Sequence, residues 1–307
     1  MTKVFIDGSA GTTGLRIADR LAGRKDLEII TLSEALRKDP AARKDAIWNA
    51  DIVFLCLPDD AAIEAVSLAQ GSKARIIDTS TAHRTDPAWV YGFPELTGQM
   101  QKIAGAQYVA NPGCHASGFV ALVAPLVEAG ILSADAALSC FSLTGYSGGG
   151  KKMIAQYEDP DRDPLLDAPR HYALGQSHKH LPEMAKVCGL SQAPIFCPIV
   201  ADFYSGMEVT VPVFAKDLNI AFAELPDFYR NYYKTGLVSY APSVDADGLA
   251  SAAALSGKDT MQITVQGNDQ RILLVSRFDN LGKGASGAAI ENMNIMLGLD
   301  PAVGLEV

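Results

Sequence analysis

Two short segments hold residues of the type and spacing that do chemistry. In Asn111-Pro112-Gly113-Cys114 a turn ends and a helical pattern begins, which sets a cysteine at a helix N-terminus. The partial positive charge there stabilises a thiolate and lowers the thiol pKa. A thiolate is a strong nucleophile toward carbonyl carbon, and the preceding Pro-Gly forces a turn that exposes the sulfur. Cys56, Cys140, Cys188 and Cys197 sit in or beside apolar patterns and read as inert buried thiols. The second segment is Ser177-His178-Lys179-His180-Leu181-Pro182-Glu183. Its histidines exchange protons near neutral pH, and Pro182 starts a short helix with Glu183 in the first turn to orient an imidazole. No cysteine or acid cluster completes a four-ligand metal set around His-x-His. His83, His115 and His171 read as surface residues.

A third segment suits a dinucleotide. Gly8-Ser9-Ala10-Gly11-Thr12-Thr13-Gly14 lies between the first strand and the first helix. Glycines there let backbone approach a pyrophosphate, and the helix N-terminus faces its charge. The spacing is G-x-x-G-x-x-G, not the usual G-x-G-x-x-G, so position supports the assignment more than pattern. The end of the second strand, Thr31-Leu32-Ser33, lacks the acid that grips a ribose 2′-hydroxyl. Ser33 and Arg37 suit a 2′-phosphate instead, which favours NADP over NAD.

The elements that must position these residues fall into two sets. Strands over Val4–Ile6, Leu27–Leu32, Asp51–Leu57 and Ala74–Asp78 alternate with helices over Gly14–Leu21 and Ala61–Ala69. This βαβ rhythm predicts a parallel, doubly wound sheet. Beyond residue 114, strands over 138–144, 194–200, 206–214, 261–266 and 271–278 outnumber helices over 117–129 and 225–233. That predicts an α+β domain with a mostly antiparallel sheet, which is a natural pairing surface for a second copy. A final helix is expected over 285–297. Pro125 conflicts with the helix that follows Cys114, which it should kink. The stretch 159–164 reads as a surface excursion.

Composition sets the outer bounds. The chain has 307 residues, 48% apolar and 20% charged, with net charge −9. That excludes extended disorder and suggests about two domains. The acidic balance argues against a nucleic-acid partner. The longest apolar stretch, 119–127, is too short to span a membrane, and the first strand begins too early for a signal peptide. Five cysteines without a C-x-x-C pair point to a reducing, cytoplasmic setting.

Taken in order, the segments 8–14, Asp78-Thr79-Ser80-Thr81-Ala82-His83-Arg84, 91–96, 111–114, 144–151, 178–183 and Asp279-Asn280-Leu281-Gly282-Lys283-Gly284-Ala285-Ser286-Gly287 resemble the shorter kind of N-acetyl-γ-glutamyl-phosphate reductase. The departures are His83 before Arg84 and one extra glycine at 148–150. The resemblance implies a Rossmann-type NADP domain over 1–113 and 284–307. It implies a glyceraldehyde-3-phosphate-dehydrogenase-like catalytic and oligomerisation domain over 114–283, and a dimer or tetramer. It also implies Cys114 as nucleophile, His180 as acid/base with Glu183 beside it, and Asn280 at the cofactor. Arg84, Asn111 and Lys151 would serve the substrate, an acyl phosphate reduced to an aldehyde with release of phosphate. Aspartate-semialdehyde dehydrogenase shares the N-x-x-C motif and is the alternative, and a redox sensor without turnover is a more distant one.

Overall fold

The computed structural model describes every residue except Thr235 and the side chain of Asp247. The chain forms two compact units, Met1–Pro112 with Ala285–Leu305, and Gly113–Gly284 with Glu306–Val307.

The first unit runs β1 (Thr2–Asp7), α1 (Thr12–Leu21), β2 (Leu27–Ile30), α2 (Pro40–Asn49), β3 (Ile52–Leu55), α3 (Asp59–Leu68), β4 (Arg75–Asp78), β5 (Val90–Tyr91), α4 (Gln99–Gly105) and β6 (Tyr108–Ala110). All six strands are parallel, in the order β2-β1-β3-β4-β6-β5. Strand alternation feeds two cores. Val4, Ile6, Phe54 and Ile77 pack with Ile17, Ile290 and Met293 on one face. Phe5, Val53, Leu55 and Ile76 pack with Ile47, Ala62 and Ala65 on the other. Every residue of β3 is buried, as its unbroken apolar run requires. The chain order reverses between β1 and β3, so the crevice at their C-terminal ends is the expected ligand position.

The second unit runs α5 (Cys114–Glu128), β7 (Ser139–Gly145), α6 (Gly150–Glu158), β8 (Arg170–His171), α7 (Leu181–Cys188), β9 (Ile195–Ala201), β10 (Met207–Phe214), α8 (Leu225–Tyr232), β11 (Val238–Tyr240), β12 (Met261–Gly267) and β13 (Arg271–Phe278). Its sheet order is β11-β12-β13-β10-β7-β9-β8. The pairs β11–β12 and β7–β9 are parallel and the others antiparallel. On β10, Met207, Val209, Val211 and Val213 are buried and alternate with part-exposed residues. The opposite face carries Phe141, Ile195, Phe214 and Leu273, all exposed. A last helix, α9 (Gly287–Met296), returns to the first unit after a π-turn over Gly282–Ser286. That wide turn is why the helix starts two residues later than its pattern suggests.

Pro125 does not end α5, which runs through it to Glu128. Proline removes the N–H that would bond the carbonyl four residues back, at Ala121. The Tyr233 hydroxyl donates to that carbonyl instead, at 2.7 Å, and the Tyr229 hydroxyl donates to Leu122 O at 2.5 Å. Tyr233→Phe should therefore cost about 1–2 kcal/mol by orphaning a buried carbonyl. Urea unfolding checks this, and an unchanged midpoint would refute it.

The excursion at 159–164 is largely exposed, as expected. Arg162 ties it down through Asp167 and Asp202, both at 2.6 Å.

Candidate active site

The glycine turn lies at the C-terminal end of β1. Gly8 has φ +89°, and a Cβ there would stand 2.3 Å from Cys56 O, so only glycine fits. A Cβ at Gly14 would meet Gly8 O at 2.4 Å, so this glycine lets α1 sit directly on the turn. The Gly11 N–H closes the turn on Gly8 O at 3.0 Å. Gly11 is the N-cap of α1 without a side-chain cap, which leaves the first-turn N–H groups to an outside acceptor. A cleft of about 610 Å³ opens beside it, lined by Gly8, Ser9, Ala10, Thr31, Arg37 and Lys38 among others. The cradle fits a dinucleotide pyrophosphate, with Thr12 and Thr13 in the first turn of α1.

The cationic end differs in detail from the sequence reading. Arg37 lines the cleft together with Lys38, whereas Ser33 is exposed and not part of the lining. Glu34 also lines it and pairs with Arg37 at 2.9 Å. The sequence reading missed this acid because it lies beyond the end of β2. Both side chains of the pair are solvated, so a phosphate group can compete for the guanidinium.

In the second unit Cys114 opens α5. From residue 109 to 126 every residue is buried except Cys114, which is part exposed. Gly113 is the extended N-cap, with no side-chain cap. Its N–H donates to Glu183 Oε1 at 2.8 Å. Glu183 is 1% exposed, so it anchors the backbone that enters α5, a role not read from the sequence. Gly284 also guards the sulfur's space, since a Cβ there would come within 3.0 Å of Cys114 Cβ.

Three histidines gather beside this helix end. The ring centroids of His178 and His180 lie 4.7 Å apart, and those of His115 lie 5.7 and 5.5 Å from them. The His180 backbone N–H donates to His178 Nδ1 at 3.2 Å, so that nitrogen carries a lone pair and braces the turn. His180 is the N-cap residue of α7 and is buried.

His115 corrects the expectation of a surface residue. It is 4% exposed, and burial, with the His178 charge adding, pushes its pKa down to about 3. Its side chain points inward because residue 115 follows Cys114 by 100° around the helix, onto the face packed on the sheet. His83 is corrected likewise: it is buried, stacked on Trp89 and 2.6 Å from Asp78. His171 is exposed as expected.

Burial holds the Cys56 thiol up at about 12 and pushes Cys140 and Cys188 up as well. Burial thus disfavours ionisation of these three thiols, although Cys56 is itself part exposed. Cys197 is part exposed.

Several motif residues turn out to brace backbone. Arg84 donates to Asn111 O and Thr79 O, both at 2.9 Å. Asn111 is 1% exposed; its Nδ2 donates to Ala285 O and its Oδ1 accepts from Asn292. Asn280 accepts from Gly206 N–H at 2.8 Å and donates to Ser147 Oγ at 3.0 Å, all inside the second unit. All three side chains therefore hold neighbouring groups of the fold in place. Lys151 is exposed in the first turn of α6. Among the described residues, no group of three or more acidic, His or Cys side chains is arranged to hold a metal ion. No helix among them is long and apolar enough to cross a membrane.

The same two-part division appears in the comparisons. Residues 3–104 match the semialdehyde dehydrogenase NAD-binding domain, and residues 114–280 match the semialdehyde dehydrogenase dimerisation domain. Aspartate-semialdehyde dehydrogenase II of Vibrio cholerae superposes with a TM-score of 0.72 at 15% identity, covering 97% of this chain and 98% of that one. The Francisella tularensis aspartate-semialdehyde dehydrogenase gives 0.73 at 14%, covering 97% and 100%. At such identities these share the fold alone. N-acetyl-γ-glutamyl-phosphate reductases are far more similar in sequence. That of Sinorhizobium medicae is 47% identical over 96% of this chain and 98% of its own, and that of Brucella anthropi 49% over the same shares. Reductase 2 of a Nostoc species is 45% identical over 99% of both. The chain belongs to the N-acetyl-γ-glutamyl-phosphate reductases, NADP-dependent oxidoreductases of arginine biosynthesis, and not to the aspartate-semialdehyde branch.

Proposed function

We propose that the protein reduces N-acetyl-γ-glutamyl phosphate to the semialdehyde and phosphate through a thioester on Cys114. The observation that carries this is a part-exposed thiol at a helix N-terminus without a side-chain cap, directly before His115, whose ring packs with those of His178 and His180. The Cys114 thiolate attacks the acyl carbon; a C–S bond forms, the C–O bond to phosphorus breaks, and phosphate leaves with the electron pair. NADPH, when bound, supplies the hydride that reduces the thioester carbon. The resulting tetrahedral oxygen is stabilised by first-turn N–H groups of α5, Cys114 N–H foremost, which lie outside the helical ladder. His180 donates a proton to that oxygen and recovers it as the C–S bond breaks and the aldehyde leaves. Lys151, exposed in the first turn of α6, supplies positive charge for a substrate carboxylate or phosphate.

In the first unit, residues 8–14 would hold the pyrophosphate, and Arg37 with Lys38 the 2′-phosphate. Arg37→Ala should raise the KM for NADPH by about tenfold and leave the KM for NADH unchanged. Equal losses with both cofactors would remove that assignment.

The protein works in the cytoplasm, where free thiols persist. A second copy pairs across the apolar outer sheet face carrying Phe141, Ile195, Phe214 and Leu273, giving a dimer or tetramer. Sedimentation of a monomer at micromolar concentration would refute the pairing.

The test of function is NADP reduction by N-acetylglutamate semialdehyde with phosphate present and absent. Turnover should require phosphate. Phosphate-independent turnover, or preference for aspartate semialdehyde, would overturn the proposal.

A further inference from the structure

His115 makes two hydrogen bonds to hydroxyls, one at each ring nitrogen. Nδ1 lies 2.7 Å from Ser142 Oγ on β7, and Nε2 lies 2.7 Å from the Tyr172 hydroxyl. Ser142 is fully buried on the inner sheet face, and Phe196 closes the ring's side at 5.2 Å between centroids. A neutral imidazole has one donor and one acceptor, so the three groups form a directed chain with two possible senses. The sense is set from outside. Burial first, and second the nearby Cys114 group once ionised, favour the protonated Tyr172 hydroxyl. A phenol beside a thiolate is most stable with its O–H turned to the sulfur. Tyr172 oxygen must then accept from His115 Nε2–H, and Ser142 O–H must donate to Nδ1.

We propose that the relay Ser142–His115–Tyr172, buried at Ser142 and His115 and part exposed at Tyr172, aims the Tyr172 hydroxyl at the Cys114 sulfur, making Tyr172 a hydrogen-bond donor to the nucleophile and His115 and Ser142 its positioning residues. The proposal rests on Cys114 being the nucleophile. It explains why a histidine that stays neutral through the physiological pH range sits immediately after the reactive cysteine. His115 exchanges no proton in the cycle; it fixes a direction. The other titratable side chains packed at this helix end are His178 and His180, whose rings pack on His115, with His178 also edge-on to Tyr172, and Glu183, which accepts from the Gly113 N–H.

The test is the pH dependence of iodoacetamide alkylation of Cys114, read by peptide mass on the full-length protein, with kcat measured in parallel. Tyr172→Phe should raise the Cys114 titration midpoint by about one unit and slow alkylation at pH 7 by about tenfold. Ser142→Ala and His115→Asn should shift it the same way, and His115→Asn combined with Tyr172→Phe should shift it no further than Tyr172→Phe alone. A midpoint unmoved by Tyr172→Phe, or shifts that simply add in the double variant, would overturn the relay while leaving the nucleophile assignment standing. Should wild-type Cys114 alkylate no faster than the other four thiols, the nucleophile assignment itself fails and the relay with it. Ser142→Ala and Tyr172→Phe each delete one hydroxyl, so both remain informative if His115→Asn does not fold.

Discussion

Cys114→Ser is expected to lose about 10⁴-fold or more of reductase turnover while binding NADP as tightly as the wild type. A serine hydroxyl at that position keeps the shape, but its pKa is too high for the helix terminus to ionise. Helix termini contribute about 0.3–2 kcal/mol to a neighbouring charge. That is enough to bring a thiol near neutral pH and far from enough for an alkoxide. The glycine turn, which belongs to the other unit, is untouched, so dinucleotide titration serves as the internal control. Turnover within tenfold of wild type would end the covalent mechanism. Loss of turnover together with loss of NADP binding would show a folding defect, and Cys114→Ala would then be needed to separate the two.

His180→Ala should lower kcat by about 10²–10⁴-fold, the usual worth of a positioned acid/base, while Cys114 remains open to alkylation. His178→Ala should cost less, because Nδ1 of His178 is committed to the His180 N–H and the residue holds the turn. The comparison discriminates between the two histidines. If His178→Ala proves the more damaging and His180→Ala is mild, the proton-transfer role belongs to His178. Glu183 gives a third point of reference. Its bond to Gly113 N–H predicts that Glu183→Gln, which keeps an acceptor oxygen, disturbs the helix entry less than Glu183→Ala.

Much of this site was legible in the sequence, and the limits are physical. Cys114 could be read because a Pro-Gly turn and the helix after it are local signals, and the glycine turn because strand, turn and helix are contiguous. The His115 relay could not: Ser142 and Tyr172 lie 27 and 57 positions away, and only packing of α5 on the sheet joins them. Pro125 looked like a break because its compensation comes from Tyr233, over a hundred residues later. The backbone bonds of Arg84 and Asn111 and the Gly206 bond of Asn280 were not legible, because motif polarity does not say which neighbouring group a side chain meets. The two-residue strands β5 and β8 and the seven-residue helix α4 carry too few residues for a hydrophobic period to emerge, and α2, though as long as α1, has too few apolar residues to show one.

The most direct measurement incubates the protein with N-acetylglutamate semialdehyde and NADP in phosphate-free buffer, quenches with acid and weighs the peptide that contains Cys114. The account predicts an N-acetylglutamyl group on that peptide alone, removed by hydroxylamine and discharged when phosphate is added before the quench. An unmodified Cys114 peptide in a sample that turns over normally once phosphate is supplied would contradict it.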